Sequence, residues 1–468
     1  MGLIKEIKRW WESMLGKEVQ DYFDVETITS GVMEAEEKKW TRIYNGRPDW
    51  AKREDKEEEG IESVNFAKKL CNETARLTTL ALGIKIEGSP RADWLAKQIE
   101  SYIVAMTKDK CEYACALGYI AIKPNGEGLD YVLPGNFVPT SVKDGKINGG
   151  IFVTTTKNGK TWYTRLEYHR FQGEQYWVTN KTFASERDNT LGKEIDLKNS
   201  PWSDLQEEAT IEGLEKPLFS IFAMPAANHI EVGSPIPVSI FSNAITELKR
   251  LDIAQQRMAD EIYDSGKTVF MGDALWAGDR GILGKLRDRQ GRKIPRYVRA
   301  ISGSIEGDDY HEINPTIQTT ERLKGIDHYL DSAGVKCGYS TGQFVLNGRT
   351  GQITATQVEA DDRETIQLIK QIRDSLQSAT DDLIYALDKW ADLYDITPVG
   401  DYETTYDFGD ITYNKEEDRD RNWKYVQAGK YPFWRYLVRF EGYSEEEARQ
   451  IEEEVKESQK EEGLFEEK

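Results

Sequence analysis

The sequence predicts an α+β protein built as an elongated subunit, with long helices, a β-rich lateral region and a small mixed insert. Three observations carry this. Apolar residues recur at helical spacing over residues 238–264, 315–333 and 353–394. Short β-rich runs separated by turn dipeptides fill residues 119–222. Residues 267–312, between the first two of those helices, return to short strands and glycine-rich turns. The last helix would form a rod of roughly 60 Å at about 1.5 Å per residue.

In order along the chain, residues 3–15 predict an amphipathic helix, with Leu3, Ile4, Ile7, Trp11, Met14 and Leu15 on one face. Such an arm is expected to dock on a neighbouring subunit or shell rather than on a membrane surface. Residues 49–59 are dense in mixed charge and read as a solvated loop. Helices are expected over 63–82 and 90–117, the second opened by Ser89 as N-cap and Pro90 in its first turn. Runs such as Tyr119–Lys123, Ile151–Thr156, Thr161–Tyr168 and Gln175–Thr179, with Asn125-Gly126, Asp144-Gly145 and Asn158-Gly159 as hairpin signals, predict one antiparallel sheet packed on those helices.

Ser234-Pro235-Ile236-Pro237 interrupts the pattern. A helix is expected from 238, with Phe241, Ala244, Ile245, Leu248, Leu251, Met258 and Ile262 at helical spacing, ended at Gly266. Asn314-Pro315 is expected to open the next helix, stopped by Gly334. Residues 335–352 form a polar loop carrying Gly338, Gly342, Gly348 and Gly351. The long helix shows an apolar stripe through Ile366, Ile369, Ile372, Leu376, Leu383, Leu387 and Trp390. A strand-like patch (Tyr402–Tyr413) and helices at 415–428 and 444–461 follow, the last with Ser444 as a cap and acidic residues in its first turn. From Glu441 to Lys468 the net charge is −8.

Composition narrows the function classes. The 468 residues allow several domains, and 38% hydrophobic content with a mean hydropathy of −0.65 is polar for a globule. Yet 12 Trp, 23 Tyr and 15 Phe exclude a disordered chain and suit aromatic surface buried between neighbours. A net charge of −20 argues against a general DNA binder, which neutralises phosphates with cations. The same charge is compatible with an acidic surface that lets DNA pass without sticking. Cys71, Cys111, Cys115 and Cys337 are scattered, the pattern of a reducing compartment. No signal peptide is evident, and no apolar run approaches the roughly 20 residues that span a bilayer, so a soluble product made in a cytoplasm is expected.

Catalytic motifs are weak. His169, His229, His311 and His328 stand apart, with no metal-ligand spacing. Cys111 and Cys115 share a helix face but lack a second zinc pair, so a buried structural role is expected. Gly159-Lys160-Thr161 and Gly266-Lys267-Thr268 end like phosphate-binding loops, but Thr154 and Glu261 stand where the first glycine is required. Glu359, Asp361, Asp362 and Glu364 would serve a two-metal nuclease only if they converged; helix-start acids are the simpler reading. The expectation is a non-enzyme with no metal and no cofactor. The one basic segment, Gly278–Arg299, carries a local charge of +6. Arg287, Arg289, Arg292, Lys293 and Arg296 lie within it, either as a solvated loop or as a contact for DNA phosphates or an acidic partner.

The order helix, insert, helix, glycine-rich loop, very long helix resembles the core of tailed-bacteriophage portal proteins. Local sequence agrees. Pro217-Leu218-Phe219, Asn228-His229-Ile230-Glu231, Gly233-Ser234-Pro235, Val238-Ser239-Ile240-Phe241 and Leu248-Lys249-Arg250-Leu251-Asp252 are similar to portals of phages infecting Gram-positive bacteria. Thr354-Ala355-Thr356-Gln357-Val358 resembles the opening of that family's long helix, with Gln357 where Glu is usual. Glu112–Gly118 and Leu166–His169 also match, so the resemblance spans about residues 30 to 455, while the basic insert departs from the pattern.

The resemblance implies an N-terminal arm (1–60), a wing (61–235), stem helices (236–266 and 313–334), a clip (267–312), a tunnel loop (335–352), a long helix (353–395) and a crown (396–468). It implies a closed homo-oligomeric ring, usually of about twelve subunits, at one capsid vertex of a virion assembled in a bacterial cytoplasm. Double-stranded DNA would pass through it. The terminase large subunit, a head–tail connector, and major capsid and scaffolding proteins would be partners, with no membrane. Gln343, Asn347, Arg349 and Thr350 would be the loop residues that touch DNA. The alternatives are another head–tail connector or shell protein, and a metal-dependent nuclease.

Overall fold

The computed structural model describes residues 15–51, 61–126, 128–187, 190–264, 268–272, 298–301, 310–313, 317–346, 363–409, 422–427, 430–441, 443–444 and 447–455. They divide into two units, Met1–Phe408 and Gly409–Lys468, and the chain is α+β as its sequence predicts.

The first unit opens with α1 (Leu15–Phe23), α2 (Gly31–Tyr44), α3 (Phe66–Thr78) and a short strand β1 (Gly83–Glu87). A helical rod follows: α4 (Pro90–Ala105), a π turn (Met106–Lys110) and α5 (Cys111–Leu117). Ser89 caps the rod as expected, its hydroxyl accepting the Ala92 N–H at 3.3 Å. The residues for an uninterrupted helix are present, but the π turn inserts between its halves.

The β region holds β2 (Tyr119–Pro124), β3 (Leu129–Val132), β4 (Phe137–Lys143), β5 (Lys146–Asn158), β6 (Thr161–Gln172), β7 (Gln175–Ser185), β8 (Lys193–Ile195), β9 (Glu208–Glu212) and β10 (Ser220–Ala223). The single sheet expected here is in fact two. Strands β10-β2-β3 form one antiparallel sheet; β4 to β8 form a second, with β9 added to β7. The sequence signal for the split is β2 itself. All six of its residues are buried, so it needs cover on both faces and cannot lie in a half-solvated meander. The hairpins of the larger sheet obey their turn chemistry. Asp144 and Gly145 both have positive φ (52° and 75°), the type I′ requirement, and the next turn starts at Gly159 (φ 62°).

A buried polar network joins the two sheets. Lys123 of β2 donates to Glu167 of β6 at 2.8 Å, as does Arg165, and His169 Nε2 lies 2.9 Å from the same carboxylate. Tyr176 accepts the Leu218 N–H at 3.0 Å, which directs its own hydroxyl proton to His169 Nδ1, 2.8 Å away. Burial holds the His169 imidazole below its usual pKa. A carboxylate only accepts, so this geometry suits a ring that donates from Nε2 to Glu167 and accepts the Tyr176 proton at Nδ1. Burial alone would raise Glu167, but Lys123, His169 and Arg165 outweigh it and hold the carboxyl well below its usual range.

The outer face of the larger sheet is covered by α1. Val19 is fully buried against Val138, Ile151, Val153, Leu166 and Phe183, and Phe23 meets Tyr168 at 5.2 Å. The amphipathic helix expected at residues 3–15 to dock on a neighbour or the shell lies outside the described residues, apart from Leu15 at the start of α1.

Downstream come α6 (Ile245–Asp264), β11 (Thr268–Gly272), β12 (Val298–Ile301), β13 (Tyr310–Ile313), α7 (Thr319–Lys336), α8 (Arg363–Leu393) and β14 (Glu403–Asp407). Helix α6 starts later than the expected residue 238. Residues 238–241 instead close on α5: the Ile240 N–H donates to the Cys115 carbonyl at 3.0 Å, and Val238 and Phe241 enter the main core. Gly118 (φ 91°) permits this approach, since a Cβ there would meet the Pro237 carbonyl oxygen at 2.7 Å. Residues 353–362 of the expected long helix are outside the described residues. Strand β14 pairs antiparallel with β1, which places residues 396–408, expected with the C-terminal crown, in the first unit. All four cysteines are free and buried.

The second unit is helical at 422–427, 433–441 and 447–455. Trp423, Phe433, Tyr436 and Phe440 form its aromatic cluster. Ser444 and Glu447 cap each other, the Glu447 N–H on the Ser444 hydroxyl (3.3 Å) and the Ser444 N–H on the Glu447 carboxylate (3.1 Å).

Glu37 of α2 generates a prediction. It is 5% exposed, Oε1 has no hydrogen-bond partner, and burial raises its pKa from 4.5 to about 8, with Glu34 adding and Lys38 opposing. The folded chain keeps this proton where the unfolded chain loses it. The group's contribution is complete below about pH 4.5 and is lost as the pH rises through about 8. Glu37→Gln removes that loss. Its stability relative to the parent should climb across this window by roughly 1.4 kcal/mol per pH unit and level off above it, with the melting-temperature difference following the same course. A difference that stays flat with pH in thermal melts would contradict the assignment.

Candidate functional site

The site is built from the two helices around the insert. Leu248 and Leu251 of α6 are buried, and Leu251 packs with Ile326 and Leu330 of α7, flanked by Ala254, Met258 and Tyr329. Charges fix the pair antiparallel. Glu247, at the start of α6, holds Lys336 at the end of α7 (2.9 Å); Glu261, at the end of α6, holds Arg322 near the start of α7 (2.6 Å) and accepts the Gln318 N–H (2.9 Å). The Gln318 amide and the Arg322 guanidinium together hold the Glu261 carboxyl below its usual value. Asp252 anchors α6 to the N-terminal region by accepting Trp50 Nε1–H (2.9 Å) and the Val64 N–H (3.0 Å).

The insert closes the far end. Strand β11, which follows α6, pairs antiparallel with β13, which precedes α7, from Thr268↔Ile313 to Met271↔Tyr310. Strand β12 adds to β11 in parallel. Among the described residues, helix, strand, strand and helix thus make one frame. The exposed charges of the helix pair are Lys249, Arg250, Arg257, Arg322, Lys324 and Lys336 against Asp260 and Glu321.

Helix α7 continues through Gly334, the expected stop, to Lys336. The reason is close packing: a Cβ on Gly334 would lie 2.9 Å from the Phe344 ring. Glycine here makes a notch inside the helix rather than an end. The chain after α7 returns over that notch as a strap, residues 337–346. Its first half is tied to the core. Tyr339 is fully buried with its hydroxyl 2.6 Å from Thr74, and Ser340 and Thr365 bond reciprocally, the Ser340 N–H on Thr365 Oγ1 (2.9 Å) and the Thr365 N–H on Ser340 Oγ (3.2 Å). Its second half lies on α7. Asp331 accepts the Gly342 N–H (2.5 Å), Asp327 accepts the Leu346 N–H (2.7 Å), and Phe344 sits between Tyr339 (4.8 Å) and Phe66 (5.4 Å).

Of the residues singled out from sequence, Gln343 is exposed on this strap, with its N–H 3.3 Å from the Ser340 carbonyl. Asn347, Arg349 and Thr350 lie outside the described residues, as do Arg287, Arg289, Arg292, Lys293 and Arg296, and Glu359, Asp361 and Asp362. Glu364 is exposed in the first turn of α8. Asp327 and Asp331 were missed. Their spacing of four, facing a glycine-bearing loop, was the available signal. Among the described residues no group of three or more His, Cys, Asp or Glu is placed to hold a metal, and no helix is long and apolar enough to cross a membrane.

A separate cleft of about 540 Å³ lies between the β4–β5 hairpin, β10 and α8. At its mouth Lys146 and Lys216 both hold Asp382 at 2.7 Å. Its lysines and carboxylates balance, which gives it no preference for an ionic ligand.

Searches against protein-family models and against curated proteins returned no match for this chain.

Gly334→Ala tests the notch. The helix gains about 1 kcal/mol of propensity, and the displaced ring costs roughly 1–3 kcal/mol, so the melting temperature should change little. Amide exchange at Gly342 and Leu346 should accelerate while α6 and the rest of α7 stay protected. Unchanged exchange at both amides would mean that Phe344 does not hold the strap.

Proposed function

We propose that the chain is a portal subunit, one member of a closed ring at a capsid vertex through which double-stranded DNA is packaged and ejected. The observation that carries this reading is the antiparallel frame of α6 and α7 around a small sheet, followed at once by a strap and then by a 31-residue helix. That order is the one the sequence resemblance implies.

On this reading α6 and α7 face the channel and the insert forms the clip, where the terminase motor and a head–tail connector dock. The basic residues Arg287, Arg289, Arg292, Lys293 and Arg296 serve those contacts. The strap and the residues after it, including Gln343, Asn347, Arg349 and Thr350, meet the DNA backbone. ATP hydrolysis belongs to the separate motor. Capsid and scaffolding proteins surround the ring, and the second unit forms the crown.

Negative-stain microscopy of the purified protein should show rings with a central hole of duplex width. A chain that stays monomeric under assembly conditions sinks the reading. Because Tyr339 and Ser340 are part of the core, a loop deletion must begin beyond them. Removing residues 342–350 should leave ring formation intact and abolish DNA packaging in a reconstituted assay. Normal packaging by that variant would refute the role of the loop.

A further inference from the structure

The outer half of the strap is held in a register of its own. Asp327 and Asp331 lie one helical turn apart on α7, and the amides they accept, Leu346 and Gly342, lie four residues apart in the strap. The strap therefore runs antiparallel beside α7, with Phe344 seated between the two bonds over Gly334. The inner half is held by other contacts, Tyr339 on Thr74 and Ser340 on Thr365. Gly342, at φ +84°, stands at the junction. Parting the two halves there would lift Phe344 off Tyr339 and Phe66 and leave the Tyr339–Thr74 and Ser340–Thr365 bonds in place.

A backbone amide that donates to a carboxylate donates equally well to a phosphate oxygen, since both are anionic acceptors. Carboxylates one helical turn apart, about 5.4 Å, present two such acceptors in a row. Being part of the same chain, they act at high effective concentration and fill the donors when no other anion is near.

We propose that Asp327 and Asp331 are intramolecular mimics of backbone phosphates. They occupy the Gly342 and Leu346 amides in the absence of nucleic acid and exchange them for phosphodiester oxygens of the duplex, so that the strap is autoinhibited for DNA binding. This inference rests on the portal reading of the same loop and adds a specific pair of donors and their internal competitor. Each contact with DNA then costs two charge-assisted hydrogen bonds, which keeps it short-lived.

Two double variants separate the mimic from simple charge. Asp327→Asn with Asp331→Asn removes both charges and keeps an acceptor oxygen at each position. Asp327→Ala with Asp331→Ala removes the charges and the acceptors. Full-length protein is titrated against a fluorescein-labelled DNA duplex at low salt, and amide exchange is followed at Gly342 and Leu346. The Ala pair should exchange faster and bind the duplex roughly tenfold more tightly than the Asn pair, about 1.4 kcal/mol. Equal affinity of the two pairs overturns the proposal, because charge alone would then account for any gain over the parent. If the Ala pair fails to fold, Asp327→Ala against Asp327→Asn gives the same comparison at the outer end of the strap. Ring formation by the unaltered chain is scored in parallel. Rings with no Ala–Asn difference sink the mimic and leave the portal reading standing; absence of rings removes both.

Discussion

Helix α8 is buried along one side for its whole length, from Thr365 to Ala391, and everything that packs on it must bring a partner for each polar group it covers. Unpaired backbone and side-chain groups in such a place would cost about 1–3 kcal/mol each. The chain meets this requirement turn by turn. Thr365 pairs with Ser340 of the strap. Arg373 donates to the Thr78 and Leu77 carbonyls at the end of α3, where cations suit the helix dipole. Ser375 donates to the Ala223 carbonyl, Ser220 donates to the Ala379 carbonyl, and Thr380 meets Tyr102. At the far end Arg91, 1% exposed, places all five N–H donors on Asp388, Asp392, Thr397 and Pro398.

This spine decides what can move. The segments tied to α8 by buried bonds form the fixed part: α3, α4, β10 and the first half of the strap. The described residues of its second half bond instead to Asp327 and Asp331 of α7, with Phe344 over the Gly334 notch. The boundary between fixed and detachable backbone therefore falls inside the glycine-rich segment, near Gly342, rather than at either of its ends. The frame of α6 and α7 is rigid for a different reason, with ion pairs at both ends of an apolar seam.

Much of the fold was legible because periodicity reports burial. The apolar stripe of α8, the Ser89-Pro90 start and the Asp144-Gly145 hairpin were all read correctly from local pattern. The errors share a cause. Val238, Phe241 and Ala244 are spaced like a helix face, but residues 238–241 are held on α5 by bonds to residues distant in sequence, such as Ser239 to Cys115, 124 positions apart. Gly334 looks like a stop because glycine is costly in a helix, and only the return of Phe344 shows what the cost secures. Asp327 and Asp331 were passed over because their partners are backbone amides, so that only their spacing of four beside a glycine-bearing loop marked them. His169 stood alone for a related reason: its partners Glu167 and Tyr176 reach it across one strand face and one hairpin, not along a motif.

Those aspartates also change how the net charge of −20 should be interpreted. A composition counts every carboxylate as free surface charge. In this chain Asp252, Glu167, Asp382, Asp388 and Asp392 are each engaged by a donor within the protein, and the exposed face of the α6–α7 pair carries more cations than anions. If DNA passes this surface, low friction cannot come from general repulsion by an acidic wall. It would come from local occupancy, with amide donors filled and several of the cations paired within the chain. Glu247 and Glu261 do this for Lys336 and Arg322, and Asp327 and Asp331 do it for the strap. A surface of that kind is attractive enough to keep a polyanion near and offers few vacant donors to hold it, which is the balance that a sliding contact requires.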